Sequence, residues 1–269
     1  MSEPRVCRFG EGDVVSVQEN RRVEVLSDDE SVNATWSRVG AGGAGADLHV
    51  HRDHSDLFFV LEGELTVRLG VDDQPVAVPA GTVVRVPPMV VHGFRNDGDA
   101  EVRYLNFHAP GAGFAAYLRS RRDGAPITYD QHDPPEDGGR PVGDAAIGGG
   151  ELVAERVILH ADVEAIAIAE IATEPGAPAA EPHVHRRHVE SLYVLEGELC
   201  VEVGDRPLRA EAGTWVQIPR NLPHTLSFPA TGPARYLDVH TPSTGFGTYL
   251  RMSGDEALAR SGFDQHAAR

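Results

Sequence analysis

The amino-acid sequence is written twice. Leu48-His-Val-His51 recurs as Pro182-His-Val-His185, and Val60-Leu-Glu-Gly-Glu-Leu65 recurs unchanged as Val194–Leu199, both at an offset of 134. After a loop shortened by two residues, Ala80-Gly-Thr82, Arg103-Tyr-Leu105 and Tyr117-Leu-Arg119 return as Ala212-Gly-Thr214, Arg235-Tyr-Leu237 and Tyr249-Leu-Arg251, now at 132. Each half closes on the same tag, Asp130-Gln-His132 and Asp264-Gln-His266, back at 134. Self-similarity over nearly the whole chain means two copies of one folding unit. With 269 residues, 41% of them apolar, there is enough material for two cores. The stretch Arg122–Gly150, rich in Gly and carrying Pro126, Pro134, Pro135 and Pro141, reads as the linker region. We place the boundary near Asp137, giving an N-terminal domain of residues 1–136 and a C-terminal domain of residues 137–269.

Within each half the apolar runs are short and rich in Val, Leu, Phe and Tyr, as at Leu57–Val60, Leu65–Leu69, Val76–Val78, Thr82–Val86 and Val102–Phe107. Gly, Pro, Asp and Asn separate them, which is the pattern of many short antiparallel strands. Helical periodicity comes late, at Gly113–Arg121 and Gly245–Met252, with a second helix expected at Asp255–Arg260. The expected fold class is therefore all-β: two tandem barrels or sandwiches, each with one or two short trailing helices.

The repeat also sorts the histidines. The pairs 49/183, 51/185, 54/188, 92/224, 108/240 and 132/266 take up twelve of the thirteen, leaving His160 alone. In a strand, residues i and i+2 point to one side, so His49 with His51, and His183 with His185, form chelating pairs. A carboxylate follows five residues later, Asp56 in the first half and Glu190 in the second. A further histidine, His92 or His224, lies beyond a Gly-x5-Pro strand and turn that can return it beside the pair. Three imidazoles and one hard oxygen suit Fe(II), Mn(II), Ni(II), Cu(II) or Zn(II), one divalent ion per domain, with positions left open for another ligand. No site for an organic cofactor is read from the sequence.

These motifs resemble those of the cupin superfamily, Gly-x5-His-x-His-x3-4-Glu-x6-Gly followed by Gly-x5-Pro-x-Gly-x2-His-x3-Asn. The first half offers Gly43, His49, His51, Asp56 and Gly63, then Gly81, Pro87, Met89, His92 and Asn96. The second offers His183, His185, Glu190 and Gly197, then Gly213, Pro219, Asn221, His224 and Phe228. Asn221 replaces a turn glycine with a residue that tolerates positive φ; Met89 at the same place is less readily accommodated. The resemblance implies two cupin (double-stranded β-helix, or jelly-roll) barrels, a bicupin. It also implies the metal ligands His49, His51, Asp56 and His92, and His183, His185, Glu190 and His224. Asp56, one methylene shorter than glutamate, is the weakest of the eight.

The chain is further similar to quercetin 2,3-dioxygenase-like bicupins, through the segments Pro110-Gly-Ala-Gly-Phe114 and Pro242-Ser-Thr-Gly-Phe246. That similarity implies a metal-dependent dioxygenase acting on a small phenolic, flavonol-like or enolic molecule with dioxygen, Glu190 and Asp56 serving as catalytic bases. An oxalate-type decarboxylase or isomerase, for which Arg85 and Arg220 are candidate arginines, and a non-catalytic metal-anchored binding protein are the other readings. The fold alone does not choose among them.

Composition narrows the partners. Acidic residues outnumber basic ones 41 to 24, a net charge of −17, which repels nucleic acid and anionic membranes. Lysine is absent, so Schiff-base catalysis and a P-loop are excluded. Cys7 and Cys200 form no metal or redox spacing, and Cys200 reads as a strand residue in a core. With neither an apolar leader nor a run long enough to span a bilayer, the expectation is a cytoplasmic protein, monomeric or homodimeric, with a small-molecule substrate. His54 and His188 read equally as solvated turn residues or as supports for the ligands. His108 and His240 line the barrel interior or pack under the following helix, and His132 and His266 read as structural.

Overall fold

Strands this short bury their apolar faces only by stacking two sheets, and the chain does so twice. The computed structural model describes residues 3–125, 127–204, 206–252 and 256–268. They form two compact units, one of residues 12–149 and one of residues 150–269 joined by the first eleven.

In the first unit a seven-stranded sheet runs in the spatial order 146–148, 83–86, 55–62, 102–109, 33–39, 21–28, 13–18, beside a four-stranded sheet in the order 44–49, 92–95, 64–69, 74–79. The second unit repeats the plan with seven strands in the order 5–8, 214–218, 189–196, 234–241, 166–173, 157–163, 151–154. Its smaller sheet has five, 206–211, 198–203, 224–227, 183–184 and 266–267.

The division falls after Gly149 rather than near Asp137, and the chain's first residues belong to the second unit. Both differences come from edge strands. Arg5–Arg8 pairs antiparallel with Thr214–Ile218, placing Cys7 opposite Trp215, and Ala146–Gly148 pairs likewise with Val83–Val86, the equivalent strand of the other copy. Each large sheet thus has one exposed edge covered by a short segment that composition presents as a leader or a linker. Bridges between Val50 and His132 and between Val90 and Gly139 hold the Pro/Gly-rich stretch against the first unit. Pro126 lies outside the described residues.

Phe58, Leu65, Val67, Val84 and Tyr104 form the heart of the first core, and Leu192, Leu199, Val201, Val216 and Tyr236 that of the second. Truncating a ring such as Phe58, fully buried, to alanine costs about 3–5 kcal/mol in transfer and cavity energy. The Glu-Gly-Glu turns inside the repeated hexapeptide need glycine. Gly63 and Gly197 have φ of 75° and 74°, and a Cβ at either would collide with the carbonyl of Glu101 or Pro233.

The late helices are Phe114–Arg122 and Phe246–Arg251, each entered through a left-handed glycine, Gly113 or Gly245. The third is Ala257–Ser261; Asp255, its expected start, lies outside the described residues. Among the described residues no helix is long and apolar enough to cross a membrane.

Candidate metal centres

Strand register brings the ligands together. His49 lies opposite His92 in the small sheet of the first unit, and Asp56 lies opposite His108 in the large one. In the second unit His183 faces His224 and Glu190 faces His240. Each ligand set therefore draws on both sheets. All eight expected ligands are buried, and they gather into two groups, His49, His51, Asp56 and His92, and His183, His185, Glu190 and His224.

His51 and His185 are fixed by the turn that precedes His92 or His224. The Met89 N–H donates to the His51 carbonyl at 2.7 Å, and the Asn221 N–H to that of His185 at 2.6 Å. Met89 and Asn221 take φ of 67° and 63°, so methionine adopts the same left-handed turn as asparagine. The hydrogen bond and the flanking strands hold it there.

Every ligand imidazole has its Nδ1 tied to a main-chain carbonyl. His49, His51 and His92 donate to Asp47, Asp130 and Val90 at 2.7, 2.5 and 2.9 Å. His183, His185 and His224 donate to Glu181, Asp264 and Leu222 at 2.8, 2.6 and 2.8 Å. A proton held on Nδ1 leaves Nε2 as a lone-pair donor aimed at the common centre. Burial, helped by the neighbouring His92 and His51, keeps His49 neutral by lowering it to about 3. Burial likewise takes His183 down to about 4.

The residues fit a metal. The Nε2 of His51 is buried without a hydrogen-bond partner, a costly state for a lone pair unless an electrophile occupies the centre. In the second group, Glu190 Oε2 lies 2.9 Å from His185 Nε2 and 2.7 Å from His224 Nε2, and 3.9 Å from His183 Nε2. Donors about 2.1 Å from one ion and at right angles sit about 3.0 Å apart, so the closer pairs have the spacing of adjacent ligands. Burial would raise Asp56 and Glu190, but the surrounding histidines hold both carboxyls well below the usual range, leaving them ionised. His224, which burial would lower, is raised by Glu190, so a proton and a metal ion compete for that nitrogen.

Around each ligand set lies a second ring of buried histidine. His54 and His188 are not solvated turn residues, being 1% and 0% exposed. His54 Nδ1 meets the Asp130 carboxylate at 2.9 Å and its Nε2 meets His108 Nδ1 at 2.9 Å. His188 Nε2 meets His240 Nδ1 at 2.8 Å, with Thr244 Oγ1 2.7 Å from its other nitrogen. Phe114 stacks on His108 and Phe246 packs tilted against His240, with centroids 3.7 and 3.8 Å apart. His108 and Asn106 line the cavity above the first metal group, which resolves their strand phase toward the interior. His132 and His266 brace the carboxylates of Asp130 and Asp264 at 3.1 and 2.9 Å. His160, without a counterpart in the other half, pairs with Glu170 at 3.2 Å.

Asp130 and Asp264 escaped the sequence reading as site residues, although the repeated Asp-Gln-His tag pointed at them. Each offers its carbonyl to a ligand histidine. Each carboxylate also accepts from two main-chain N–H groups of the ligand loop, at 3.0 and 2.8 Å from Arg52 and Asp53 and at 2.9 and 2.5 Å from Arg186 and Arg187. Tyr129, also missed, places its hydroxyl 3.0 Å from His54 and 2.9 Å from His108; Phe263 packs against the corresponding pair in the second unit.

The cavity over the first group has a volume of about 580 Å³ and is walled by Phe94, Phe114, Tyr117, Val15 and Leu118, with arginines at its rim. Arg85, a candidate anion ligand from the sequence, instead donates to the Asp144 carbonyl at 3.2 Å.

The fold and the two His/carboxylate clusters define a double-domain β-barrel with one candidate metal site in each domain. The Cupin domain family matches residues 35–108 and 169–240, and the chain belongs to it, as a bicupin. Solved structures share the fold at low identity. Oxalate decarboxylase from Bacillus subtilis has 15% identity and a TM-score of 0.60 over 89% of this chain and 76% of that one. Vicilin from hazelnut, Corylus avellana, has 13% identity and a TM-score of 0.59 over 90% and 86%. Ylba from E. coli has 12% identity and a TM-score of 0.58 over 83% of each chain. Comparison with curated proteins found no match.

Proposed function

We propose that this bicupin is a metal-dependent dioxygenase for a small organic substrate bearing an acidic phenol or enol hydroxyl. The observation that carries the reading is the first centre: three Nδ1-anchored imidazoles and an ionised carboxylate, of which His49, His51 and Asp56 line a cavity of about 580 Å³ with aromatic side chains in its wall. That volume is in the range of pockets that enclose molecules of ring size and above, and far exceeds what oxalate fills. His49, His51, His92 and Asp56 would hold a divalent transition ion, which would supply Lewis acidity toward a substrate oxygen.

The protein's own contribution is positioning and proton handling. Phe94, Phe114 and Tyr117 exclude water and orient a planar substrate. Asp56, ionised and 3.4 Å from His92 Nε2, is the base placed to take the hydroxyl proton. The Asn106 amide donates to its other oxygen and fixes the carboxylate's plane. Glu190 has the equivalent role in the second unit. His54, lowered to about 4 by burial, and His108, held well below its usual value by burial, stay neutral and support the centre without adding charge.

The test is oxygen uptake by metal-loaded protein across flavonols, catechols and cyclic enols, repeated with Asp56→Ala and Glu190→Ala. Turnover that disappears with the carboxylates while metal content persists supports the reading. Tight anaerobic binding of such molecules with no oxygen uptake for any of them replaces it with the metal-anchored binding protein.

A further inference from the structure

In a chain with an excess of acid, arginines are expected to be neutralised, and in the first unit most are. Arg22 pairs with Glu24, Arg68 with Asp73, Arg95 with Asp97, Arg103 with Glu62 and Glu101, and Arg119 with Asp13 and Asp28. Arg21 and Arg121 differ: among the described residues neither has a carboxylate partner, and both line the cavity above His49, His51 and Asp56.

Arg21 is half-buried on the strand Arg21–Asp28. Its Nη1 donates to the Gly45 carbonyl at 3.3 Å, while its Nε is buried with no hydrogen-bond partner. With Nε closed off, the Nη1–Nη2 edge is the part of the guanidinium that can grip a carboxylate through two parallel hydrogen bonds. Arg121, exposed on the helix Phe114–Arg122, gives Nη1 to the Tyr117 hydroxyl at 3.0 Å and sits 5.8 Å above that ring. Arg122, also at the rim, is already committed to Asp13 and Asp123. Of the carboxylates lining the cavity, Asp56 is enclosed by the histidines and Asp47 is exposed to solvent. A half-buried guanidinium that the protein leaves without a carboxylate beside a cavity is a place for a ligand's anion.

We propose that the first-unit site takes an organic acid: a substrate with a carboxylate in addition to the hydroxyl it presents to the metal, the carboxylate held by Arg21 and screened by Arg121 at the rim. The proposal rests on the reading of this cavity as a substrate site and names the class of substrate. Recognition by charge also places the anion at a fixed distance from the metal-facing oxygen, which orients the ring.

The test uses metal-loaded protein and two probes that differ by one carboxylate, 3,4-dihydroxybenzoate and catechol, titrated without oxygen by calorimetry. The expected result is at least tenfold tighter binding of 3,4-dihydroxybenzoate, a preference that shrinks as salt is raised. Arg21→Gln should abolish the preference with catechol affinity and metal content unchanged, and Arg21→Lys should keep part of it. Equal binding of the two probes by the wild type, binding of neither, or a preference that survives Arg21→Gln overturns the proposal. The wild-type comparison needs no variant to fold. Its outcome is separate from that of the dioxygenase reading: a carboxylate preference without oxygen uptake on any substrate retires the oxygenase and leaves the acid-binding site standing.

Discussion

The two candidate metal centres have matching imidazoles and differ in what holds the carboxylate. In the first, Asp56 stands 3.4 and 3.9 Å from the Nε2 atoms of His92 and His51, and its far oxygen is claimed by the Asn106 amide. In the second, Glu190 reaches to 2.7 and 2.9 Å of His224 and His185. The position of Asn106 there is taken by Asp238, which offers no amide donor. Asp238 is itself pushed well above the usual carboxyl range by burial and by the charge of Glu190. The extra methylene of glutamate and the loss of the restraining amide act in the same direction. The comparison teaches that carboxylate placement in this fold is set jointly by side-chain length and by the residue opposite in the neighbouring strand.

The largest effect comes from removing an imidazole. His92→Ala and His224→Ala should each lower bound metal by one ion per chain, read by elemental analysis, with the other centre retained. Loss of both ions from either variant would show that the centres are not independent and would break the comparison at its root.

Next in size is the methylene. Asp56→Glu should tighten the first centre, and Glu190→Asp should weaken the second, each on the order of tenfold in affinity as measured by chelator competition. Equal affinities in all three proteins would mean that the carboxylate contributes little at either centre and that the imidazoles alone hold the ion.

The two His/carboxylate clusters and the fold class were legible in the sequence because each rests on short spacings: His-x-His on one strand face, a carboxylate five residues on, and glycine where a turn needs positive φ. The duplication also paired twelve of the histidines by their offsets alone. What the sequence left open depended on contacts between segments far apart. Arg5–Arg8 and Ala146–Gly148 carry no apolar pattern that marks them as edge strands, and their partners lie in Thr214–Ile218 and Val83–Val86. The burial of His54 and His188 is created by Asp130 and Asp264, which arrive from more than seventy residues away. Strand alternation could place His108 on a face without saying which face was inward; the register with Asp56 decided it.

A third test uses acid. Burial would raise Asp264, but the N–H of Arg187, His266, His188 and the N–H of Arg186 hold it down to about 2. A carboxyl depressed in the folded state adds stability that is complete above its unfolded value near 4 and is lost as pH falls toward 2. Asp130 is depressed in the same sense, burial again being outweighed by Asp53, Arg52 and His54. The second ligand loop should therefore loosen over that window, and the first as Asp130 takes up its proton, seen as accelerated amide exchange at Arg186 and Arg187 and at Arg52 and Asp53. Asp264→Asn should flatten the pH dependence at the second loop alone. Loosening of that loop with the same profile in the variant would place the acid sensitivity elsewhere.

The smallest expected effect isolates one difference between the outer histidine rings. Tyr129 hydrogen-bonds His54 and His108, whereas Phe263 offers the corresponding pair only its ring. Tyr129→Phe removes a hydroxyl from a cluster whose two histidines still contact each other at 2.9 Å. The cost should be about 1 kcal/mol in denaturant unfolding, with both metal ions retained. A larger loss, or release of the first ion, would show that the hydroxyl positions His54 and, through the stacked His51 ring 4.2 Å away, the metal itself. In that case the second centre, which manages without a hydroxyl, would have to draw the same rigidity from Thr244 on His188.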